Sequence, residues 1–297
     1  MNASVLLAIS ILFAVVNNLL LHGVDDKGLR GMGDTLLFNA LVSLIWLVIL
    51  AVLNKGIRIS AQSWLWGIGY GSVMSVFLLC KMQAMATGPV SITSFIGCSS
   101  LIIATAFGVF YFHEQVTVLQ TVGVMCLVLA LFLTVSKSKN NSAKEEKTEK
   151  TWFLWCALFF ICSGATGIVF KLHQSSPASS EVNQMMLAAS ITSIVLFFIS
   201  SVIVQRKADK TLPRVPSSVW IFALTCGIVS CGYNRINISL SGLLPSIVFF
   251  PLFNGSVIFF ASLFAAILFR EKITKRQMTG IAVGIIALLM ASGVFDM

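Results

Sequence analysis

Glu114-Gln115-Val116-Thr117-Val118-Leu119-Gln120-Thr121-Val122-Gly123 returns 157 residues later as Glu271-Lys272-Ile273-Thr274-Lys275-Arg276-Gln277-Met278-Thr279-Gly280. The shared frame is Glu-x-x-Thr-x-x-Gln-x-x-Gly. Both copies sit where one long apolar run ends and the next begins. Agreement spreads outward to Ala104/Ala261, Phe107/Phe264, Phe112/Phe269, Ala130/Ala287 and Leu131/Leu288, nine identities over 28 aligned positions. Apolar segments match by chance, but chance rarely sets polar residues at identical spacing. The chain is internally duplicated, and duplication inside so apolar a chain points first to transport.

Hydrophobic residues make up 57% of the 297 residues and charged residues 10%, whereas a soluble domain is about a quarter charged. One aqueous core cannot bury so much apolar surface, so the bilayer is the expected solvent. The net charge of +9 is not a nucleic-acid footprint. Its basic residues fall in the short gaps between apolar runs, where they set topology and meet anionic lipid heads. The seven cysteines are odd in number, all lie inside apolar runs, and form no CxxC. That argues against disulfides and zinc and for plain packing. The first run has no basic n-region or small-residue cleavage pattern and reads as a span.

Ten runs are long enough to cross about 30 Å of hydrocarbon as helices. They lie near 3–22, 33–53, 62–85, 89–112, 116–136, 151–172, 183–204, 217–239, 245–269 and 276–294. Helices are required because lipid offers no partner to loose backbone N–H and C=O groups. The expected fold class is an all-α polytopic membrane protein of ten transmembrane helices in two five-helix repeats. Residues 1–136 form the first repeat, 137–150 (KSKNNSAKEEKTEK) a charged linker, and 151–297 the second. Five is odd, so the second repeat enters from the opposite side and the repeats are inverted.

Fifteen Lys and Arg fall in one set of loops and three (Lys55, Arg58, Lys171) in the other. The richer set is expected in the cytoplasm, with both termini outside and the chain in the cytoplasmic membrane.

The two hairpins, Phe112-His113-Glu114-Gln115-Val116-Thr117 with Gly123 and Phe269-Arg270-Glu271-Lys272-Ile273-Thr274 with Gly280, resemble the drug/metabolite transporter superfamily, specifically its ten-helix EamA-like branch. Ala84-Met85-Ala86-Thr87-Gly88-Pro89 resembles the family's approach to its fourth helix. The resemblance spans the whole chain and implies a carrier of small solutes, but not its cargo. Two departures stand out. Members of the branch commonly have cytoplasmic termini, the reverse of the charge count here. The small four-helix relatives couple protons through a carboxylate in helix one, where this chain has Asn17 and Asn18, which do not titrate.

Lys81 and Arg235 lie late in the third and eighth runs, each followed two positions on by an amide, Gln83 and Asn237. An ionisable group inside hydrocarbon costs at least a few kcal/mol and should face water or a partner. No acidic residue lies at mid-depth, so the expected lining is positive and suits an anionic or zwitterionic solute. Arg235 would grip a carboxylate or phosphate with two parallel bonds and Lys81 would act as a point charge. The competing account is snorkelling to the headgroups. Asn17, Asn18, Tyr70, Tyr233, Asn234 and Asn254 would line a pathway, or simply bond across helices. Pro245 and Pro251 are expected to open the ninth helix beside Asn254. The candidate substrate-binding set is Lys81, Gln83, Arg235, Asn237, Asn18, Tyr70, Tyr233 and Asn254.

Glu114, Thr117, Gly123, Glu271, Thr274 and Gly280 are expected to be structural parts of the hairpins. Each Glu would favour the start of the following helix, with Thr sharing the task, and each Gly would permit close helix approach. Gly67-x-x-x-Gly71 has the same close-approach spacing. His22, His113 and His173 read as polar residues at helix ends or turns. Gly97-Cys98-Ser99-Ser100 has no His partner at span depth and does not make a serine protease.

The sequence therefore leads to a secondary transporter of a small organic metabolite, carboxylate-bearing or similar, working by alternating access. It is expected not to be an enzyme and to need no cofactor and no metal. Its partners are a small-molecule solute and the lipid bilayer, with no nucleic acid; monomer and homodimer both stay open. The alternatives are an exporter of amphipathic or cationic compounds and a non-transporting scaffold or sensor.

Overall fold

The computed structural model describes residues 2–25, 31–88, 90–134, 151–207, 217–268 and 274–292. Among these the regular structure is helical: α1 (Ala3–Asp25), α2 (Met32–Leu53), α3 (Ala61–Thr87), α4 (Val90–Ser99), α5 (Leu101–Phe112), α6 (Val118–Thr134), α7 (Trp152–Gln174), α8 (Val182–Lys207), α9 (Trp220–Leu243), α10 (Ser246–Leu268) and α11 (Lys275–Ala291). These bounds follow the ten apolar runs closely, because each run stops where polar or turn residues remove its affinity for hydrocarbon.

Seven stretches of the described residues are long and apolar enough to cross a membrane: Ala3–Leu21, Met32–Leu53, Ala61–Thr87, Ile92–Phe112, Trp152–Gln174, Val182–Arg206 and Ser246–Phe264. The other three runs form shorter or more polar helices. α6 and α11 have 17 residues each, and α9 carries Tyr233, Asn234, Arg235 and Asn237 in its second half. Large apolar side chains such as Val48, Leu65, Phe110, Phe153, Ile221 and Ile286 stand exposed, the surface expected of helices that meet lipid.

Two details differ from the sequence expectation. The fourth run is not one helix: α4 and α5 meet at Ser100, where the bonds tighten to Ser100 N–H to Gly97 O and Ile103 N–H to Ser100 O, the i→i−3 pattern of a 3₁₀ turn. The ninth run, in contrast, is continuous. Pro245 precedes α10 and Pro251 lies inside it without interrupting it. Pro251 falls near the helix start and forfeits a single backbone bond, which the remaining turns outweigh.

The duplicated phrase forms the same cap twice. The Gln120 N–H bonds Thr117 Oγ1 at 3.2 Å and the Thr117 N–H bonds Gln120 Oε1 at 3.1 Å. The Gln277 N–H bonds Thr274 Oγ1 at 3.3 Å and the Thr274 N–H bonds Gln277 Oε1 at 2.9 Å. Each Thr-x-x-Gln is a reciprocal capping box that satisfies two orphan donors at the start of α6 or α11.

The chain divides into two compact units, Met1–Ser75 with Leu172–Ser239, and Val76–Lys171 with Leu240–Met297. Each draws on both halves of the sequence; the linker 137–150 lies outside the described residues. In the first unit α2 packs along α8. There α3 lies close against α8: a Cβ on Gly67 would sit 2.6 Å from Met185 O, and one on Gly71 2.6 Å from Ala189 O. In the second unit α6 packs along α11, and α10 packs against α5, α6 and α11. Leu127, Ala130, Leu131, Ala287 and Ala291 are fully buried there. A Cβ on Gly123 would lie 2.7 Å from Ala291 N, so the expected close approach at this glycine is present. Gly280 is also buried.

Candidate functional site

In the first unit, α9 is the organising element. Ser230, Asn234 and Asn237 are spaced i, i+4, i+7 and so lie along one face; all three are buried. Each meets a different helix. Trp46 Nε1 on α2 donates to Ser230 Oγ at 2.8 Å, and the Tyr70 hydroxyl on α3 donates to Asn234 Oδ1 at 2.9 Å. The Ser10 hydroxyl on α1 donates to Asn237 Oδ1 at 2.5 Å. Asn234 also returns a bond to Ser230 O at 2.9 Å. Buried polar groups need such partners, and this ladder fixes the rotation of α9.

Arg235 is one residue past Asn234, turned about 100° off that face. Its side chain is exposed, and its Nε donates to Asn183 Oδ1 on α8 at 2.7 Å. Asn183 is a neutral amide, so the bond steers the guanidinium without neutralising it.

Tyr70, Tyr233, Arg235 and Asn237 are thus brought together around α9. Tyr70 and Asn237 are buried with their bonds directed to Asn234 and Ser10, which is the cross-helix role. Asn18 is exposed on α1 and donates to Ala14 O at 3.0 Å. Lys81, Gln83 and Asn254 belong to the second unit and are half-buried; Asn254 donates to Phe250 O at 2.9 Å in its own helix.

A second polar cluster of the first unit surrounds Glu181, just ahead of α8. Its carboxylate accepts from the Ser60 hydroxyl and from the Ser63 hydroxyl at 2.6 Å. Those donors hold its pKa below the usual glutamate value, Ser60 contributing most. The Ser60 N–H bonds Gln184 Oε1 at 2.9 Å, joining the start of α3 to the start of α8. His173 lies nearby inside α7 rather than beyond it. It is fully buried, edge-on to Trp66 at 6.2 Å between ring centroids. The expectation of a surface histidine is corrected: His173 is buried against Trp66 of α3.

The Glu114 expectation is corrected in a similar way. Thr117 caps α6, while the Glu114 carboxylate caps a different helix. It accepts from the Ser246 N–H at 2.6 Å and the Ser246 hydroxyl at 3.1 Å, at the first residue of α10. Lys171 Nζ completes the knot at 2.7 Å from Glu114 and 2.9 Å from Leu244 O. The helix start offers unpaired N–H groups and a positive dipole end, which suit an anion. Glu271 lies outside the described residues. His113 is exposed and ends α5 in the left-handed region at φ 52°.

Sequence reading missed Asn183, Ser10, Glu181 and the inward turn of Lys171. The i, i+4, i+7 polar spacing on α9 was a usable signal for the ladder; the partners on distant helices had none.

Residues 28–136 match the model of the EamA-like transporter family, part of the drug/metabolite transporter superfamily. Over that stretch, about a third of its length, the chain is similar to the EamA-like transporter family. A solved structure titled "Crystal structure of protein" is similar to it with a TM-score of 0.73 and 12% identity, over 98% of this chain and 96% of that one. That likeness speaks for the fold alone. No curated protein matches the chain. The EamA match covers α2 to α6 and includes Lys81, Gln83, Tyr70 and the Glu114 hairpin, while the α9 ladder and Arg235 lie beyond it.

Proposed function

We propose that this protein is a secondary transporter that moves a small organic anion or zwitterion across the cytoplasmic membrane by alternating access. The observation that carries the reading is Arg235. It is an exposed guanidinium on α9, among buried polar residues, and a neutral amide directs its Nε. In the second unit, taken by itself, Lys81 is a positive position with Gln83 and Asn254 as polar groups. In the first unit, with Arg235, Tyr233 adds a hydrogen-bonding group and Asn18 a polar edge.

The ten-span, inverted-repeat arrangement is part of the proposal. It is supported by which helices pair. Counting α4–α5 as one span, α2 with α8, α5 with α10 and α6 with α11 are each span n against span n+5. A two-fold axis brings equivalent elements together in this way. Cytoplasmic placement of the cation-rich loops, with both termini outside, follows from the Lys and Arg distribution.

A second reading, export of amphipathic or cationic compounds, is favoured by an apolar cavity of about 290 Å³ in the second unit, lined by Leu252, Phe259, Phe260, Ile285 and Leu288.

Uptake of labelled succinate and labelled tetraphenylphosphonium into vesicles holding purified protein separates the readings. Succinate flux that Arg235→Glu abolishes is expected. Flux of tetraphenylphosphonium alone, indifferent to Arg235→Glu, favours the second reading. Flux of neither solute, nor of any metabolite in a screen, rejects transport.

A further inference from the structure

We propose that Asn183 is a positioning residue that sets which edge of the Arg235 guanidinium meets the solute. The inference rests on the anion-transport reading above and deepens it. A guanidinium can grip two oxygens side-on, through Nε and one Nη, or end-on, through both Nη groups. Here Nε is already spent: it donates at 2.7 Å, from the second half of α9, to Oδ1 of Asn183, the second residue of α8. The end-on edge is the one left for cargo. It matches a carboxylate or a phosphate, whose paired oxygens accept two parallel bonds.

The choice of residue at 183 matters chemically. A carboxylate there would hold Arg235 as an ion pair and cancel its attraction for an anion. An amide keeps the acceptor geometry and leaves the full positive charge outward. The backbone beneath is held as well: Asn234 and Asn237 on either side are bonded to Tyr70 and Ser10, and the Ser239 hydroxyl donates to Arg235 O at 3.3 Å. The guanidinium is therefore fixed by its neighbours in the ladder and by Asn183 at its own Nε.

The test labels Arg235 in the detergent-solubilised full chain with phenylglyoxal, which attacks the Nη edge, and reads modification by mass spectrometry. Succinate and inorganic phosphate are the protecting probes, tetraethylammonium the control. In wild type, succinate, phosphate or both protect Arg235. Asn183→Ala raises the half-protecting concentration about tenfold, the scale of one bond to a charged group. Asn183→Asp, nearly isosteric and so retaining the packing, abolishes protection; a purely structural asparagine would not register that change. In transport assays Asn183→Ala raises KM with kcat little changed. Unchanged protection in Asn183→Ala or in Asn183→Asp overturns the inference and leaves the transport reading standing. If neither probe protects wild-type Arg235, the anion reading itself fails, and this inference with it.

Discussion

Lys171 Nζ stands 2.7 Å from Glu114 Oε1, with the two side chains only 11% and 12% exposed. The same carboxylate takes the Ser246 N–H at 2.6 Å. One glutamate from the repeated hairpin therefore ties together the end of α7, the turn after α5 and the start of α10. Removing one member of a buried pair leaves the other charged and alone, at a cost on the order of 3 kcal/mol. Lys171→Met and Glu114→Leu are each expected to destabilise the protein by that order in equilibrium unfolding with sodium dodecyl sulfate. The double variant Glu114→Leu/Lys171→Met is expected to cost less than the sum, because no orphan charge remains. Strict additivity would mean that the pair has no mutual energy.

The capping boxes give a symmetric prediction. Thr117→Ala and Thr274→Ala each remove an N-cap acceptor, so each should cost about 1 kcal/mol, and Thr→Ser at either site much less. The same unfolding assay reads both. A cost at one site and none at the other would mean that the two boxes, alike in geometry, differ in weight.

Glu181 gives the pH dependence. Its folded pKa lies below the ordinary 4.5, first through the Ser60 hydroxyl and then through Ser63. Above pH 4.5 the folded and unfolded chains both carry the ionised group, and the stabilisation is fully present. As pH falls below 4.5 the unfolded chain takes up the proton first, and the advantage drains away until the folded pKa is passed. Thermal stability should fall on acidification in that window. In Ser60→Ala/Ser63→Ala that part of the fall should shrink, because the donors that lowered the folded pKa are gone. An undiminished fall in the double variant would assign it to other groups.

Much of this was legible in the sequence. Span positions follow from a balance summed over some twenty residues, so α2 (Met32–Leu53) and α8 (Val182–Lys207) lie close to their expected bounds. Thr117 and Thr274 were legible as caps because they are local and repeated, but the partner was read as Glu where the structure has Gln120 and Gln277. Directions across the fold were not. Asn183 and Arg235 are 52 residues apart, and Glu114 and Ser246 are 132 apart; no periodicity links them. Lys171 looked like a loop cation because the sequence does not show a side chain turning back into the protein. The interruption at Ser100 was hidden because Gly97-Cys98-Ser99-Ser100 also fits a tightly packed helix. Pro251 misled in the other direction, since the cost of proline depends on where in the helix it falls.

The glycines offer a test of whether close packing, rather than helix propensity, governs these helices. Gly69 has open space where a Cβ would stand, whereas Gly71, two residues on, would place one 2.6 Å from Ala189 O, backbone that cannot swing aside. Gly123 is similarly hemmed in by Ala291 N at 2.7 Å and Ala287 O at 3.0 Å. Alanine is the better helix former by about 1 kcal/mol, so Gly69→Ala should be neutral or stabilising. Gly71→Ala and Gly123→Ala should destabilise by a few kcal/mol despite the same propensity gain, because α3 must move off α8, or α6 off α11, to admit the methyl group. Unfolding midpoints of the three variants, compared at one detergent composition, decide it. If all three shift alike, steric fit is not what these glycines supply, and the packing of α3 on α8 and of α6 on α11 described above is wrong at those contacts.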